Sequence, residues 1–203
     1  MMLAGMTIRP AAMLPVLLLI GGATAFAAPA PALLSQCAEC HGDKGVSTHK
    51  DVPSIAGMSA FYFEGQITAY QKAQRPCPNS TVAKTPTDMC AVSKKLDAGQ
   101  IKDLGAYYAA QGWVAAAQTV DAAKVAAGKA IHTASCENCH TKGGSVADDD
   151  AGILAGQWLP YLELTMQDYK SGKRTMPDKM KPKLEKLSPA DIEAVVQYYA
   201  GEK

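Results

Sequence analysis

The sequence predicts an all-α protein built from two tandem helical domains, and three observations carry that expectation. Apolar residues recur at helical spacing in several segments. Nothing of comparable length alternates like a strand. The chain also matches itself: with residue n set beside residue n+99, Cys37, Cys40 and His41 fall on Cys136, Cys139 and His140. In the same register Ala56-Gly57 meets Ala155-Gly156, Tyr62 meets Tyr161, Tyr70 meets Tyr169 and Arg75 meets Arg174. Beyond the arginine the offset becomes 91, pairing Met89 with Met180, Leu96 with Leu187, Ile101 with Ile192, and tyrosines 107 and 108 with 198 and 199. The change of offset marks eight extra residues in the first copy, between Arg75 and Met89.

In chain order, the opening "MMLAGMTIRPAAMLPVLLLIGGATAFA" has one arginine, an apolar run and an Ala25-Phe26-Ala27 cleavage pattern. It reads as a signal peptide over residues 1–27, with an uncleaved membrane anchor as the alternative. The remainder divides into a domain at 28–115 and a second at 116–203, joined near "AQGWVAAAQTVD". Export places the chain in the periplasm, where cysteines meet an oxidising environment. The full chain has 20 basic and 19 acidic residues, and losing Arg9 with the leader brings the formal charge to zero. No electrostatic case for nucleic acid is left.

"FYFEGQITAYQKA" and "YLELTMQDYKSGK" supply one helix in each copy, and "DAAKVAAGKAIHTAS" leads into the second cysteine motif. "LDAGQIKDLGAYYAA" places Ile101, Leu104 and Tyr108 on one face, with Gly105 suggesting close backbone approach. "LSPADIEAVVQYYA" adds start signals: Ser188 with Asp191 three later, Pro189 in the first turn, and Ile192, Val195, Val196 and Tyr199 at i, i+3, i+4 and i+7. "HGDKG" and "HTKGG" read as loops.

"CAECH" at 37–41 and "CENCH" at 136–140 are C-x-x-C-H motifs. In a small helical domain the two thiols of such a motif can add across the vinyl groups of a haem, and the adjoining histidine can ligate the iron. A redox pair or half of a zinc site is the alternative for one motif alone. Two motifs in register behind a leader favour haem c, two per chain and covalently attached. A macrocycle also gives domains of this size something to pack against.

The second axial ligand follows from the repeat. Met89 and Met180 align with each other, whereas Met58, Met166 and Met176 have no methionine opposite. Met176 is the rival at the second site; His49 and His132, also unpaired across the repeat, are the candidates for bis-histidine ligation. The expected sets are Cys37, Cys40, His41 and Met89 for one haem, and Cys136, Cys139, His140 and Met180 for the other. Irons capped on both sides leave no catalytic residue to name, so the expected role is electron transfer.

The extra stretch lies in "RPCPNSTVAKTPTDMC", a loop by composition. Its Cys77 and Cys90 lack a neighbouring histidine, and in an oxidising compartment a disulfide between them is expected, with free thiols or a surface metal site as alternatives.

The sequence resembles di-haem cytochromes c of the cytochrome c4 class through "CAECHGDKG", "PSIAGMSAFYFEGQITAYQKAQR", "KKLDAGQIKDLGAYYAAQ" and "MKPKLEKLSPADIEAVVQYYA". In "CENCHTKGG", "ILAGQWLPYLELTMQDY" and "KRTMPDKMKPKLEKL" it is similar to the cytochrome subunit of flavocytochrome c sulfide dehydrogenase. The resemblance implies two tandem class I cytochrome c domains and an FAD-containing flavoprotein partner that oxidises sulfide. A free or membrane-associated cytochrome c4 delivering electrons to a terminal oxidase is the alternative. Family domains use a proline carbonyl to orient the ligating histidine; Pro53 is placed to do this in the first copy, whereas the second reads "DDDAGILAG".

Overall fold

The computed structural model describes residues 31–203, so the expected leader lies outside the described residues. Among the described residues nine α-helices follow one another: α1 (Pro31–His41), α2 (Ala60–Gln71), α3 (Met89–Ser93), α4 (Ala98–Ala109), α5 (Ala122–Ser135), α6 (Thr141–Gly144), α7 (Leu159–Lys170), α8 (Lys181–Leu184) and α9 (Pro189–Gly201). Among the described residues there is no strand, and no helix is long and apolar enough to cross a membrane.

Local chemistry explains where the longer helices begin. Ser188 Oγ accepts a hydrogen bond from the Asp191 amide while the Asp191 carboxylate accepts one from the Ser188 amide, a capping box that starts α9 with Pro189 in its first turn. Asp97 and Gln100 make the same reciprocal pair at α4, a start signal that had not been drawn from the sequence. Ser59 caps α2 and Asp121 caps α5. The segments read as loops contain single turns of helix instead, at 43–45 and at α6, and left-handed Lys44, Lys142 and Gly143 keep them from propagating.

Two hydrophobic clusters form. Phe63, Ile67, Leu96, Ile101, Leu104 and Tyr108 make one from the first copy; Leu162, Met166, Leu184, Val195, Val196, Tyr198, Tyr199 and Ala200 make the other. In α4 the face expected from periodicity is the buried one, whereas α9 is buried all round from Ala194 to Ala200 and Ile192 is only half-buried. Gly105 lies against the Ala60 backbone, so a side chain would press on the start of α2, in agreement with the close approach expected. The tighter crossing is α5 on α9, where a Cβ on Gly128 would stand 2.1 Å from the Ala194 carbonyl oxygen.

The sequence repeat is a repeat of backbone hydrogen bonds as well. The Gly45 carbonyl accepts from the amides of Ile55 and Ala56, as that of Gly144 does from Leu154 and Ala155; Gly57 donates to Tyr108 as Gly156 does to Tyr199. Each pair ties the turn after a C-x-x-C-H motif to the segment entering α2 or α7, and that segment to the end of the terminal helix. The elements that carry the motifs are thereby fixed against the elements that form the cores.

The two copies meet through buried polar groups. The Gln157 side chain, 1 % exposed, accepts from the Ser54 amide at 3.0 Å and donates to the Ser54 carbonyl at 3.0 Å. Trp158 Nε1 donates to the Ser47 carbonyl, and the Thr175 amide to that of Gln74. The linker is tied to the second copy, with Gln118 donating to the carbonyls of Gln157 and Ala200.

Candidate functional site

The first motif occupies the last turns of α1, so Cys37, Cys40 and His41 project from one short helix. They line a cavity of about 450 Å³, shared with Met89 at the first turn of α3. The volume lies within the roughly 300–1,000 Å³ typical of cofactor pockets. His41 is buried and its Nδ1 donates to the Pro53 carbonyl at 2.8 Å. A carbonyl oxygen can only accept, so Nδ1 carries the ring proton and Nε2 keeps its lone pair. Burial lowers the imidazole pKa, the Pro53 carbonyl opposes that, and the charge of Arg75 adds to it; the neutral, ligand-competent form is favoured.

The second motif is held differently. Cys136 and Cys139 follow α5 in turns, and His140 leads into α6. Cys136 lies beside the Tyr199 hydroxyl, as Cys37 lies beside that of Tyr108, and burial raises both thiol pKa values. His140 is 6.3 Å from the Tyr199 ring, and Met180 packs against the core that contains Tyr199. Cys136 and His140 thus border one aromatic residue, the counterpart of Tyr108, within the core that Met180 packs against. Gly152 stands where the first copy has Pro53, and His140 Nδ1 is buried with no partner. Burial again lowers its pKa, with a contribution from His132 and an opposing one from Asp149.

Met58 and Met166 are buried core residues, and Met176 shares the second core's edge with Met180. His132 is buried with Nδ1 3.0 Å from the Tyr199 hydroxyl and Nε2 paired with Glu137, so both ring nitrogens are engaged. Cys77 and Cys90 are joined in a disulfide, while the four motif cysteines are free. The bond sets Met89 next to a crosslinked residue.

A further group emerges only in three dimensions. Arg75 Nη1 and Arg174 Nη2 both donate to Gln66 Oε1, at 2.6 and 2.9 Å, and each guanidinium stacks on the tyrosine of its own copy, Tyr70 or Tyr169. Arg75 Nη2 reaches the Tyr161 hydroxyl at 3.4 Å. One buried and one half-buried cation share one neutral amide, and no ion pair with a carboxylate forms at either among the described residues. Arg174 Nη1 is buried without a partner. Burial alone would raise the Tyr161 pKa, but Arg75 and Arg174 pull it down to about 8. Buried charge of this kind calls for an anion, and Arg75 also lines the cavity beside His41. A planar macrocycle bearing two carboxylates therefore suits the first site in volume, ligand set and charge. The repeat had shown these arginines only as aligned positions; their shared one-sided charge at the junction was the missed signal.

Cytochrome c-552 of Acidithiobacillus ferridurans is 31% identical to this chain over 173 residues, covering 78% of this chain and 73% of its own length. Reduced cytochrome c4 from Pseudomonas stutzeri superposes with a TM-score of 0.70 at 26% identity, over 87% of this chain and 100% of that one. The chain belongs to the cytochrome c4-like family of di-haem cytochromes c. The family's class I cytochrome c fold accounts for both helical copies, its cofactor is haem c, and its members carry electrons. The family model for cytochrome c oxidase, cbb3-type, subunit III matches this c4-like cytochrome over residues 123–198. A protein of Thiomonas intermedia called thiosulfate dehydrogenase electron acceptor is 27% identical, over 76% of this chain and 74% of its own.

Proposed function

We propose that this chain is a periplasmic electron carrier whose halves, 28–115 and 116–203, each hold one haem c covalently. His41 and Met89 ligate one iron, and His140 and Met180 the other. Cys37 with Cys40, and Cys136 with Cys139, form the thioethers. The observation that carries the reading is the tautomer of His41: the Pro53 carbonyl holds the proton on Nδ1, which leaves Nε2 as the donor atom in a cavity that Met89 also lines. When bound, haem supplies a one-electron couple, and histidine with methionine favours a higher potential than two imidazoles.

The chain's residues hold and bury that couple. Arg75 and Gln66, which line the cavity, with Arg174 bonded to the same Gln66, would meet the haem carboxylates with positive charge and hydrogen-bond donors, which would offset the cost of burying Arg174. The Cys77–Cys90 bond anchors the chain that presents Met89.

The electron donor we assign is a dehydrogenase subunit acting on a reduced sulfur compound. The resemblance of the second half to the flavocytochrome c subunit supports an FAD-containing partner that oxidises sulfide. The name of the Thiomonas relative, thiosulfate dehydrogenase electron acceptor, supports a thiosulfate-oxidising partner as the second reading. Either donor would be met outside the cytoplasm, as export by residues 1–27 requires.

Intact mass of the exported protein under denaturing conditions is expected to equal residues 28–203 plus two haem groups. One haem or none would refute the site assignment. The partner is tested by gel filtration of native-source protein at low and at about 0.5 M salt, where the screening length is a few ångströms, with haem and flavin absorbance followed together. Flavin co-elution with sulfide-dependent haem reduction supports the flavoprotein reading. Reduction by thiosulfate alone, without flavin, moves the assignment to the second partner, and haem eluting alone and unreduced by either donor sinks both.

A further inference from the structure

The rims of the two sites are not equivalent. Cys139 is exposed, whereas its counterpart Cys40 is partly covered. The cover is the eight-residue insertion, which has no counterpart in the second copy. Ser80 places its hydroxyl 3.4 Å from Cys40 Sγ, and the amides of Val82 and Ala83 donate to the same hydroxyl oxygen. The Ser80 amide donates to the Thr87 carbonyl, which closes the loop on itself, and Thr81 bonds Asp51 on the far side of the cavity mouth. Pro78, Ser80 and Pro86 are part of the cavity wall. Cys77 and Cys90 join the two ends of the loop with their Cα atoms 5.7 Å apart. An insertion so anchored behaves as a fixed wall, because its closed ends leave little conformational entropy to lose.

The second rim differs in charge as well as cover. Met180 is flanked by exposed Lys179, Lys181 and Lys183, with Lys173 and Lys186 further along; Asp178 and Glu185 are the acids in this segment. Lys183 lies close enough to Cys136 for its charge to act on that thiol. Within the insertion, by contrast, Lys84 is offset by Asp88. A chain with almost no net charge therefore carries a local basic segment on one site. Such a segment steers partners within a Debye length of about 10 Å at 0.1 M salt.

We propose that the disulfide-braced insertion closes the Cys40 edge of the first haem to protein partners. The Cys139 edge of the second, framed by Lys179, Lys181 and Lys183, is the face on which an acidic redox partner docks. With haem bound there, such a partner would pass one electron per encounter to the second site, and no bond would be made or broken. Transfer between proteins falls steeply with edge-to-edge separation, so a wall at one edge is enough to direct traffic to the other. The inference rests on the reading that both sites hold haem.

The test uses the haem-loaded protein and a soluble, neutral gadolinium chelate, with relaxation of the haem methyl protons read by NMR. The expected result is several-fold greater enhancement at the second haem than at the first, and a rise at the first when Cys77→Ser and Cys90→Ser are combined. Equal enhancement in the unaltered protein overturns the proposal even if the double variant does not fold. Protein that carries fewer than two haems would instead overturn the site assignment on which the inference rests. The docking face is read by reduction with hexacyanoferrate(II), an anionic one-electron donor. Lys181→Glu with Lys183→Glu is expected to slow it several-fold at low salt and to match the unaltered protein at high salt. An unchanged rate at low salt refutes the acidic-partner assignment.

Discussion

Replacing Gln157 with leucine tests whether the junction between the copies is held by buried hydrogen bonds. The side chain is 1 % exposed, and leucine is close to it in volume, so the substitution leaves no large cavity. Across the junction it removes the donor to the Ser54 carbonyl and the acceptor for the Ser54 amide, both at 3.0 Å, and within the second copy it removes the acceptor of the Trp158 amide at 3.2 Å. Ser54 is itself 3 % exposed, so water does not readily replace either partner. An unsatisfied buried polar group costs about 1–3 kcal/mol, which puts the loss at roughly 2–6 kcal/mol for the two. With a urea dependence of about 2 kcal/mol/M, the midpoint moves down by about 1–3 M. Because the lost bonds join one copy to the other, the haem-loaded variant is expected to unfold in two separated steps instead of one. Far-UV circular dichroism reports both copies, and the Soret band reports the haem surroundings. A midpoint within about 0.3 M of the unaltered protein, with a single shared transition, would show that Gln157 does not hold the junction.

Met89→Ala and Met180→Ala should each diminish the long-wavelength charge-transfer band of the oxidised protein by about half; loss in Met176→Ala with retention in Met180→Ala would reassign the second ligand. Opening the Cys77–Cys90 bond by paired serine substitution is expected to cost about 3 kcal/mol for a separation of 13 residues, read by chemical denaturation of the first copy; no loss would mean the loop is rigid without it. Arg174→Leu removes a buried positive charge from beside the proposed haem carboxylates, so the ferric form gains and the reduction potentials should fall in a spectroelectrochemical titration. Unchanged or raised potentials would place the guanidinium's charge elsewhere.

Local signals were sufficient for several features. The Ser188/Asp191 box and Pro189 locate the start of α9 because their bonds span three residues, and Val195, Val196 and Tyr199 of its periodic set are buried. The repeat of "CAECH" and "CENCH" predicted two copies of one helical plan, and the folded chain repeats the backbone hydrogen bonds too, since equal spacing between a turn and a helix lets the same bonds form twice. Cys77 and Cys90 were separable from the other four cysteines by their lack of an adjoining histidine, and they are the bonded pair.

Other features depend on groups far apart in sequence, and residue type alone does not distinguish their roles. Gln66, Gln157 and Arg174 are polar residues of kinds usually found on a surface. They are sequestered because two helical units press together and bring Ser54 to Gln157, and Arg75 to Arg174, across about a hundred residues. No periodic pattern encodes that register. The insertion was recognisable as a loop, but only the folded chain decides that Ser80 closes over Cys40 while Cys139 stays exposed. Likewise the motifs themselves specified which side chains could meet a haem, through spacing within one turn of chain. The tertiary structure decided that His41 is pinned by a carbonyl and His140 is not, because an imidazole's partner is set by whichever distant backbone packs against it.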